Sequence, residues 1–202
     1  ACAVACMTRG DAALAARLPG RLPAAHEFLM LKSQRTGYDA AVELTGARIR
    51  DLGKSDAPPA WDLAGEVDHA TAAFLWLAGD EFERNSPSLE EIAAAARRAG
   101  VPLIVDAAAQ VPPYANLREY HDRGADLVVF SGGKGLRGPQ GSGLVVGDAE
   151  LIRACRLAAF PQQFVGRPAK VSKEMIVGLV TAVDEALATD PAESWTRWEA
   201  IL

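Results

Sequence analysis

Apolar and polar positions along the chain follow two different periods. Short apolar runs that end at Gly, Pro or charged residues are typical of strands, and they predict strands at 27–31, 47–52, 73–77, 101–105, 127–130 and 143–146. Longer stretches with apolar residues at helical spacing are typical of helices, and they predict helices at 38–45, 88–100, 116–123, 149–159 and 171–187. Because strands alternate with helices, the pattern predicts an α/β fold with a doubly wound, mainly parallel sheet and right-handed crossovers.

The helix at 88–100 has the clearest end signals. Ser88 is a good N-cap, Glu91 completes a capping box with it, and Gly100 is placed to end the helix. By contrast, the segment 54–70 is rich in Pro, Asp and Ala, which predicts a loop with one helical turn.

The two ends of the chain lie inside helical sequence. The chain begins without Met in the Ala-rich stretch 1–7, which has the character of the last turns of a helix, and it finishes in another apparent helix. We therefore expect a fragment of a longer protein, with a large domain at 1–190 that lacks its N-terminal part. The start of a small C-terminal domain is expected at 191–202, with Trp195 and Trp198 in its core.

Composition favours one packed domain and excludes several classes of function. Half of the 202 residues are apolar, which is enough for a substantial core. The net charge of −5 provides no basic face, so nucleic acid is not an expected partner. No apolar run is long enough to span a membrane and no signal peptide is visible, so no membrane partner is expected either.

Cysteines are sparse and odd in number: Cys2, Cys6 and Cys155. Cys2 and Cys6 lie one helical turn apart, but no His or second Cys pair accompanies them, so no metal site is predicted. We interpret all three as buried thiols of a protein in the reducing cytoplasm.

Two apolar runs end in residues that carry chemistry. Residues 127–130 lead into Ser131-Gly-Gly, after which Lys134 stands among glycines, and residues 101–105 end in Asp106. In α/β folds, ligands bind at the carboxyl ends of the strands. A lysine that forms a Schiff base and an aspartate that pairs with the pyridinium nitrogen are the two protein groups that pyridoxal 5′-phosphate (PLP) needs. A P-loop is excluded, because its Gly-Lys-Ser/Thr spacing is absent.

These motifs resemble those of a known family. The segments that carry the resemblance run along nearly the whole chain: Tyr38-Asp39, Gly46-Ala47, 105–110, Asn116-Leu117, 124–134, 138–140, 167–174 and Gly178. They are similar to those of the selenocysteine synthase-related family of fold-type I PLP enzymes, whose members include D-glucosaminate-6-phosphate ammonia-lyase. The resemblance implies the large domain of a PLP-dependent aminotransferase-like fold, with Lys134 and Asp106 as catalytic residues that also hold the cofactor.

Five further residues are candidates for holding PLP. Ala108 lies two residues after the aspartate, on the same side of an extended chain, where its methyl group can support the ring. By the resemblance, Ser131 binds the phosphate through its hydroxyl, and Gly133 lets the backbone approach that phosphate. Gln110 is a candidate for the ring hydroxyl. Arg137 is a candidate for the phosphate or a substrate carboxylate, and the alternative for it is simple loop structure.

The sequence motifs indicate the reaction less specifically than they indicate the cofactor. In selenocysteine synthases an Asp precedes the lysine, whereas here Gly133 does, which favours the lyase-like relatives. We therefore predict a PLP-dependent lyase that acts on a small anionic amino acid or amino-sugar acid, by β-elimination with deamination or by retro-aldol cleavage. The alternatives are an L-seryl-tRNA(Sec) selenium transferase, and an inactive fragment or pseudo-enzyme that only binds or packs. The resemblance also implies a homodimer or higher homo-oligomer whose subunits share the site.

Two further polar segments are less specific. Gln34-Arg35 lies in a loop where relatives carry His-Arg, so Gln34 argues against an imidazole stacked on the cofactor ring. Arg167, Lys170 and Lys173 form a basic cluster ahead of a helix, which either binds an anionic substrate or is a solvated face.

Overall fold

The computed structural model describes residues 1–54, 62–84, 86–190, 192, 195–196 and 199–200. Within these residues, six strands form one sheet: β1 (Glu27–Leu31), β2 (Arg48–Leu52), β3 (Thr71–Leu77), β4 (Leu103–Asp106), β5 (Leu127–Ser131) and β6 (Gly143–Gly147). The strands lie in the order β2-β1-β3-β4-β5-β6, and all neighbours are parallel except β6, which is antiparallel to β5. The predicted α/β fold with a mainly parallel sheet is confirmed.

Helices connect these strands. The described helices are α1 (Cys2–Thr8), α2 (Ala12–Ala15), α3 (Ala40–Glu43), α4 (Asp80–Glu83), α5 (Leu89–Ala99), α6 (Asn116–Asp122), α7 (Ala149–Ala158) and α8 (Lys173–Ala188). Helix α5 has the predicted ends: Ser88 and Glu91 form a capping box, and Gly100 ends the helix with a φ of 70°. No helix in the described part of the chain is both long enough and apolar enough to cross a membrane.

Two elements are shorter than the sequence pattern predicts. Strand β4 begins at Leu103 rather than at 101, because Pro102 has no N–H to donate to a ladder. The helix predicted at 38–45 is a 3₁₀ turn capped by the Thr36 hydroxyl and followed by the short helix α3. The loop at 54–70 contains its predicted turn at Leu63–Glu66, while 55–61 lie outside the described residues.

Strand side chains alternate between two apolar layers. On one face of the sheet, Phe74, Trp76 and Phe130 join the layer that contains α5. On the other face, Phe28 and Leu75 join the layer that contains α1 and α7. Every position of β3 is buried, because both faces of the central sheet are covered, and this accounts for its uninterrupted apolar sequence.

The small domain expected at 191–202 stays a prediction. Only some of these residues are described, and Trp198 lies outside them. Trp195 is 61% exposed to solvent, and its place in the core of a small domain also stays a prediction. Exposed apolar side chains also occur along α8, namely Ile176, Val177, Val180 and Leu187.

Candidate active site

Asp106 lies at the carboxyl edge of the sheet. Leu77 of β3, Asp106 of β4 and Val129 of β5 are neighbours in register. Leu77 and Asp106 are the last residues of their strands, and β5 continues for two residues to Ser131, so all three parallel strands end close to the same edge. The Oδ1 atom of Asp106 accepts the N–H of Ala108 at 3.0 Å, which orients the carboxylate. Both residues are half-buried, so a ligand at this edge can reach them.

Lys134 lies on a tight turn that follows β5. The N–H of Gly138 donates to the Gly132 carbonyl at 2.7 Å, and the N–H of Arg137 donates to the Lys134 carbonyl at 2.8 Å, which closes the turn. Leu136 is only 2% exposed and anchors the turn in the core. Lys134 and Arg137 are exposed on either side of this anchor. The turn therefore presents two cationic side chains outward while its middle is fixed.

Glycines in this turn are required by close backbone approaches. A Cβ atom on Gly133 would lie 2.6 Å from the Gln140 Cα, and a Cβ atom on Gly135 would lie 1.7 Å from the Val111 carbonyl oxygen. The Gln140 amide also donates to the Gly133 carbonyl at 3.0 Å. Within this chain, Gly133 thus allows the turn to pack on Gln140, and its predicted approach to a cofactor phosphate stays a prediction.

Ser131 and Gln110 make hydrogen bonds within the chain that fix their positions near the lysine turn. Ser131 is the last residue of β5, and its N–H donates to the Ala108 carbonyl at 3.4 Å, so the turn after Asp106 and the lysine turn are linked. The Gln110 amide nitrogen donates to the Ala78 carbonyl at 3.0 Å. Its role toward the ring hydroxyl stays a prediction, for which the amide oxygen is the available atom.

Gln34 has a structural role that sequence reasoning missed. Its side chain is fully buried, accepts the Leu77 N–H at 3.0 Å and donates to the Leu77 carbonyl at 3.2 Å. These two bonds hold the loop after β1 against the end of β3 at Leu77, which is the register partner of Asp106. No sequence signal marks this role, because the partner is a backbone group distant along the chain.

Arg35, next to Gln34, is neutralised within the same loop region. Its guanidinium donates to Asp39, and its Nη1 atom lies 2.6 Å from Oδ1 of Asp51. Hydrogen bonding to these carboxylates, with Asp39 the stronger influence, raises the pKa of Arg35 above its usual value. Arg35 is therefore a positioning group for the loop rather than an isolated positive charge.

A cavity of about 260 Å³ opens beside Asp106. Its floor is formed by apolar side chains of four neighbouring strands, Leu75, Leu77, Ile104, Val129 and Val145, and its walls include the start of α1 and the segment around Tyr38. Lys134 does not line the cavity, but β5 leads from Val129 on its floor into the lysine turn.

The residues around the cavity fit PLP. An apolar floor suits a flat aromatic ring, and the Asp106 carboxylate at its edge suits a protonated ring nitrogen. The Ser131 hydroxyl and the Lys134 amine lie on one strand end and its following turn, where they can meet a phosphate and an aldehyde. Two carboxylates line the cavity: Asp106, which a protonated ring nitrogen requires, and Asp39, which accepts a hydrogen bond from the Arg35 guanidinium.

The basic cluster ahead of α8 makes contacts of its own. The Arg167 guanidinium lies 4.9 Å from the ring centre of Phe160, and the Lys170 ammonium lies 5.4 Å from the same centre. Lys173 lies 3.8 Å from Glu174. These contacts provide a structural reason for the cluster, and none of its residues lines the cavity beside Asp106.

Comparison with known proteins gives several consistent matches. Residues 66–167 match the aminotransferase class-V family model. The chain is 34% identical over 185 residues to D-glucosaminate-6-phosphate ammonia lyase of Salmonella typhimurium, an alignment that covers 89% of this chain and 48% of the relative. It is also 34% identical over 191 residues to 5′-C-glycyluridine monooxygenase-decarboxylase of a Streptomyces species, covering 91% of this chain and 46% of the relative. L-seryl-tRNA(Sec) selenium transferase of Solidesulfovibrio magneticus is 33% identical over 125 residues, covering 55% of this chain and 26% of the relative.

A solved structure agrees with these matches. The structure of D-glucosaminate-6-phosphate ammonia-lyase superposes with a TM-score of 0.83 at 31% identity, covering 94% of this chain and 50% of that one. The chain thus spans about half the length of the first two relatives. Sequence and fold together show that the chain belongs to the aminotransferase class-V family of fold-type I, PLP-dependent enzymes.

Proposed function

We propose that the protein is a PLP-dependent lyase that acts on a small anionic amino acid or amino-sugar acid. The observation that carries the proposal is the placement of Lys134 and Asp106 after neighbouring parallel strands, β5 and β4. Similarity to an ammonia lyase along 89% of the chain supports a lyase. By the family resemblance, selenium transferases carry an Asp before the lysine, whereas this chain has Gly133, which packs on Gln140.

Each residue of the site has a defined task in this reaction. PLP supplies an aromatic ring that accepts the electrons of a broken bond at the substrate Cα. The Lys134 amine would hold the cofactor and would be the base that accepts the proton from the substrate Cα. The Asp106 carboxylate, which the Ala108 N–H orients, would pair with the ring nitrogen and keep it protonated. A β-hydroxyl leaves the substrate, and hydrolysis then yields a 2-keto acid and ammonia.

Arg137 is our candidate cation for the anionic group of the substrate or for the cofactor phosphate. It lies three residues after the lysine, it is exposed, and its φ of 58° is unusual for a residue with a side chain. Strained backbone of this kind is concentrated at functional sites. Arg35 is less suitable, because Asp39 and Asp51 already neutralise it.

Chemical trapping of the cofactor tests the proposal. Full-length protein is incubated with PLP, reduced with borohydride and digested, and the modified lysine is located by mass spectrometry. We expect the label on Lys134, and we expect Lys134→Ala to lose both the label and the visible absorbance of bound PLP. Lys170→Ala is the matched control, because that lysine lies outside the turn after β5 and contacts the Phe160 ring.

Product analysis then separates the possible reactions. A lyase of the proposed kind releases ammonia together with a 2-keto acid from β-hydroxy amino acids or amino-sugar acids. Release of an aldehyde and a shorter amino acid would indicate retro-aldol cleavage by the same residues. A label on another lysine would contradict the assignment of Lys134, and tight, salt-sensitive binding of tRNA would favour selenium transfer instead.

A further inference from the structure

Helix α8 packs against residues 132–141, the segment that follows β5 and carries Lys134. The residues of α8 that make this contact are Met175, Gly178, Leu179 and Ala182. They lie at positions i, i+3, i+4 and i+7, so they share one face of the helix. The proposed reaction involves no residue of α8, so the contact needs an explanation of its own.

Glycines on the side of the lysine turn make this contact close. A Cβ atom on Gly132 would lie 3.0 Å from Cδ1 of Leu179, and a Cβ atom on Gly141 would lie 3.1 Å from Cε of Met175. Both distances are shorter than the optimal separation of two non-bonded carbon atoms, which is about 3.5–4.0 Å. The absence of side chains at these glycines therefore lets the turn lie directly against the helix.

Gly178 has the same effect on the side of the helix. A Cβ atom there would lie 2.8 Å from Cγ and 3.2 Å from Cδ of Pro139. Glycine in the interior of a helix is unfavourable relative to alanine, because its backbone loses more entropy on folding. Gly178 nevertheless lies inside α8, where it leaves room for the Pro139 ring. Two segments that carry the family resemblance, 138–140 and Gly178, thus meet in the folded chain.

Apolar packing holds the short segment around Lys134 at both of its ends. Leu136, two residues after the lysine, is buried in the core. Leu179 packs on the same core and lies against Gly132, two residues before the lysine. Lys134 itself is exposed, so its own side chain contributes little to its position. The place of its amine therefore depends on what supports the backbone of the turn.

We propose that Gly178 and Leu179 of α8 are positioning residues for the Lys134 amine. Leu179 supports the backbone before the lysine, and Gly178 allows α8 to approach the backbone after it. Neither residue lines the cavity beside Asp106, so both act through the backbone of the turn. The inference rests on the proposed function, because it takes Lys134 as the residue that binds PLP.

Hydrogen exchange on the full-length protein without PLP tests whether α8 supports the turn. The N–H groups of Arg137 and Gly138 are the reporters, because their hydrogen bonds close the turn. We expect both groups to exchange faster in Leu179→Ala, which removes the side chain that lies against Gly132. Val183→Ala is the matched control and should leave this exchange unchanged. Val183 lies one helical turn further along α8 and packs on the same core, but it is not among the nearest neighbours of the turn glycines.

The rate of PLP binding tests the effect on Lys134 itself, at a temperature where circular dichroism shows every variant to be folded. We expect the visible absorbance of bound PLP to appear about tenfold to a hundredfold more slowly in Leu179→Ala and in Gly178→Ala, because a reacting group displaced by ~1 Å reacts about 10²-fold more slowly. Leu179→Met should restore the wild-type rate, since its side chain has nearly the same volume. Gly178→Ala raises helix propensity, so a slower rate in this variant cannot come from a weaker helix.

Several results would overturn the proposal. Unchanged exchange at Arg137 and Gly138 in Leu179→Ala would show that α8 does not hold the turn. Faster exchange combined with a wild-type rate of PLP binding would show that this support does not reach Lys134. Equal slowing of PLP binding in Val183→Ala would assign the effect to a general loss of stability. Trapping of PLP on another lysine of the wild type would contradict the proposed function, whereas hydrogen exchange would still decide whether α8 holds the turn.

Discussion

Gly135, directly after Lys134, shows how strongly single positions control the lysine turn. Its backbone passes so close to the Val111 carbonyl that a Cβ atom would lie 1.7 Å from that oxygen. Because the obstacle is backbone, it cannot move aside as a flexible side chain would. The position of the turn relative to the Val111–Pro112 segment thus depends on the absence of one methyl group.

We predict that Gly135→Ala displaces the turn and lowers both stability and PLP affinity. Overpacking of this kind costs about 1–3 kcal/mol of unfolding free energy. Urea denaturation and PLP titration provide the two measurements. Gly65→Ala is the control, because a Cβ atom there would meet nothing within 4 Å. Equal losses in the two variants would show that close approach at Gly135 is not the cause.

Gln34 leads to a second prediction at the residue scale. Gln34→Ala removes both partners of the Leu77 backbone groups, and a buried unsatisfied polar group costs about 1–3 kcal/mol. We expect a decrease of that size in the unfolding free energy, measured by chemical denaturation. Leu44→Ala is a suitable comparison, because Leu44 is 75% exposed and should change stability little. A neutral Gln34→Ala would mean that water replaces the lost bonds.

Helices α5 and α6 are connected by an ion pair between Glu90 and Arg123. The Nε atom of Arg123 donates to Oε1 of Glu90 at 2.7 Å, and this bond holds the pKa of Glu90 below its usual value. A carboxylate whose pKa is lower in the folded state stabilises the fold above its unfolded pKa, about 4.3. That stabilisation is lost as the pH falls through the lowered folded pKa.

We therefore predict that Glu90→Gln destabilises the protein at neutral pH and not in acid. The pair is partly exposed, so the expected loss is about 0.2–1 kcal/mol, measured by denaturation at a series of pH values. Glu150→Gln is the matched control. Glu150 also lies in the first turn of a helix, but its partner Arg153 is on that same helix at 3.8 Å. If both variants lose stability with the same pH profile, the connection between helices contributes nothing.

At the scale of the whole molecule, we expect the site to be shared between subunits, as the family resemblance implies. Arg137 is exposed on the lysine turn, next to a Gly-containing segment that can face a neighbouring subunit. We predict that Arg137→Ala weakens PLP affinity by about 1–3 kcal/mol, the strength of a charge-assisted hydrogen bond. Arg118→Ala, an exposed arginine on α6, should leave the affinity unchanged.

Light scattering on the full-length protein tests the assembly itself. We expect a dimer or a ring of dimers, and Arg137→Ala should keep the same mass while losing PLP affinity. An active, PLP-loaded monomer would contradict the shared site. Unchanged PLP affinity in Arg137→Ala would make Arg137 a structural loop residue.

The sequence by itself determined the six strands and the longer helices α5 to α8, to within one or two residues at their ends. Strand β3 is buried on both faces, and its sequence is accordingly apolar at nearly every position. Helix α5 is marked by its capping residues Ser88 and Glu91 and by Gly100 at its end. Both elements can therefore be recognised from the local sequence alone. The same holds for Lys134 and Asp106, because each directly follows or ends an apolar run.

Only the tertiary structure decided how these elements lie together. The spacing of apolar residues along the chain indicates that a residue is buried, but it does not indicate which other residues it packs against. The strand order, the antiparallel direction of β6 and the contact of Gln34 with Leu77 all depend on groups far apart in the chain. Such contacts form when strands pair and helices pack, and for this reason the cavity beside Asp106 could not be derived from local sequence.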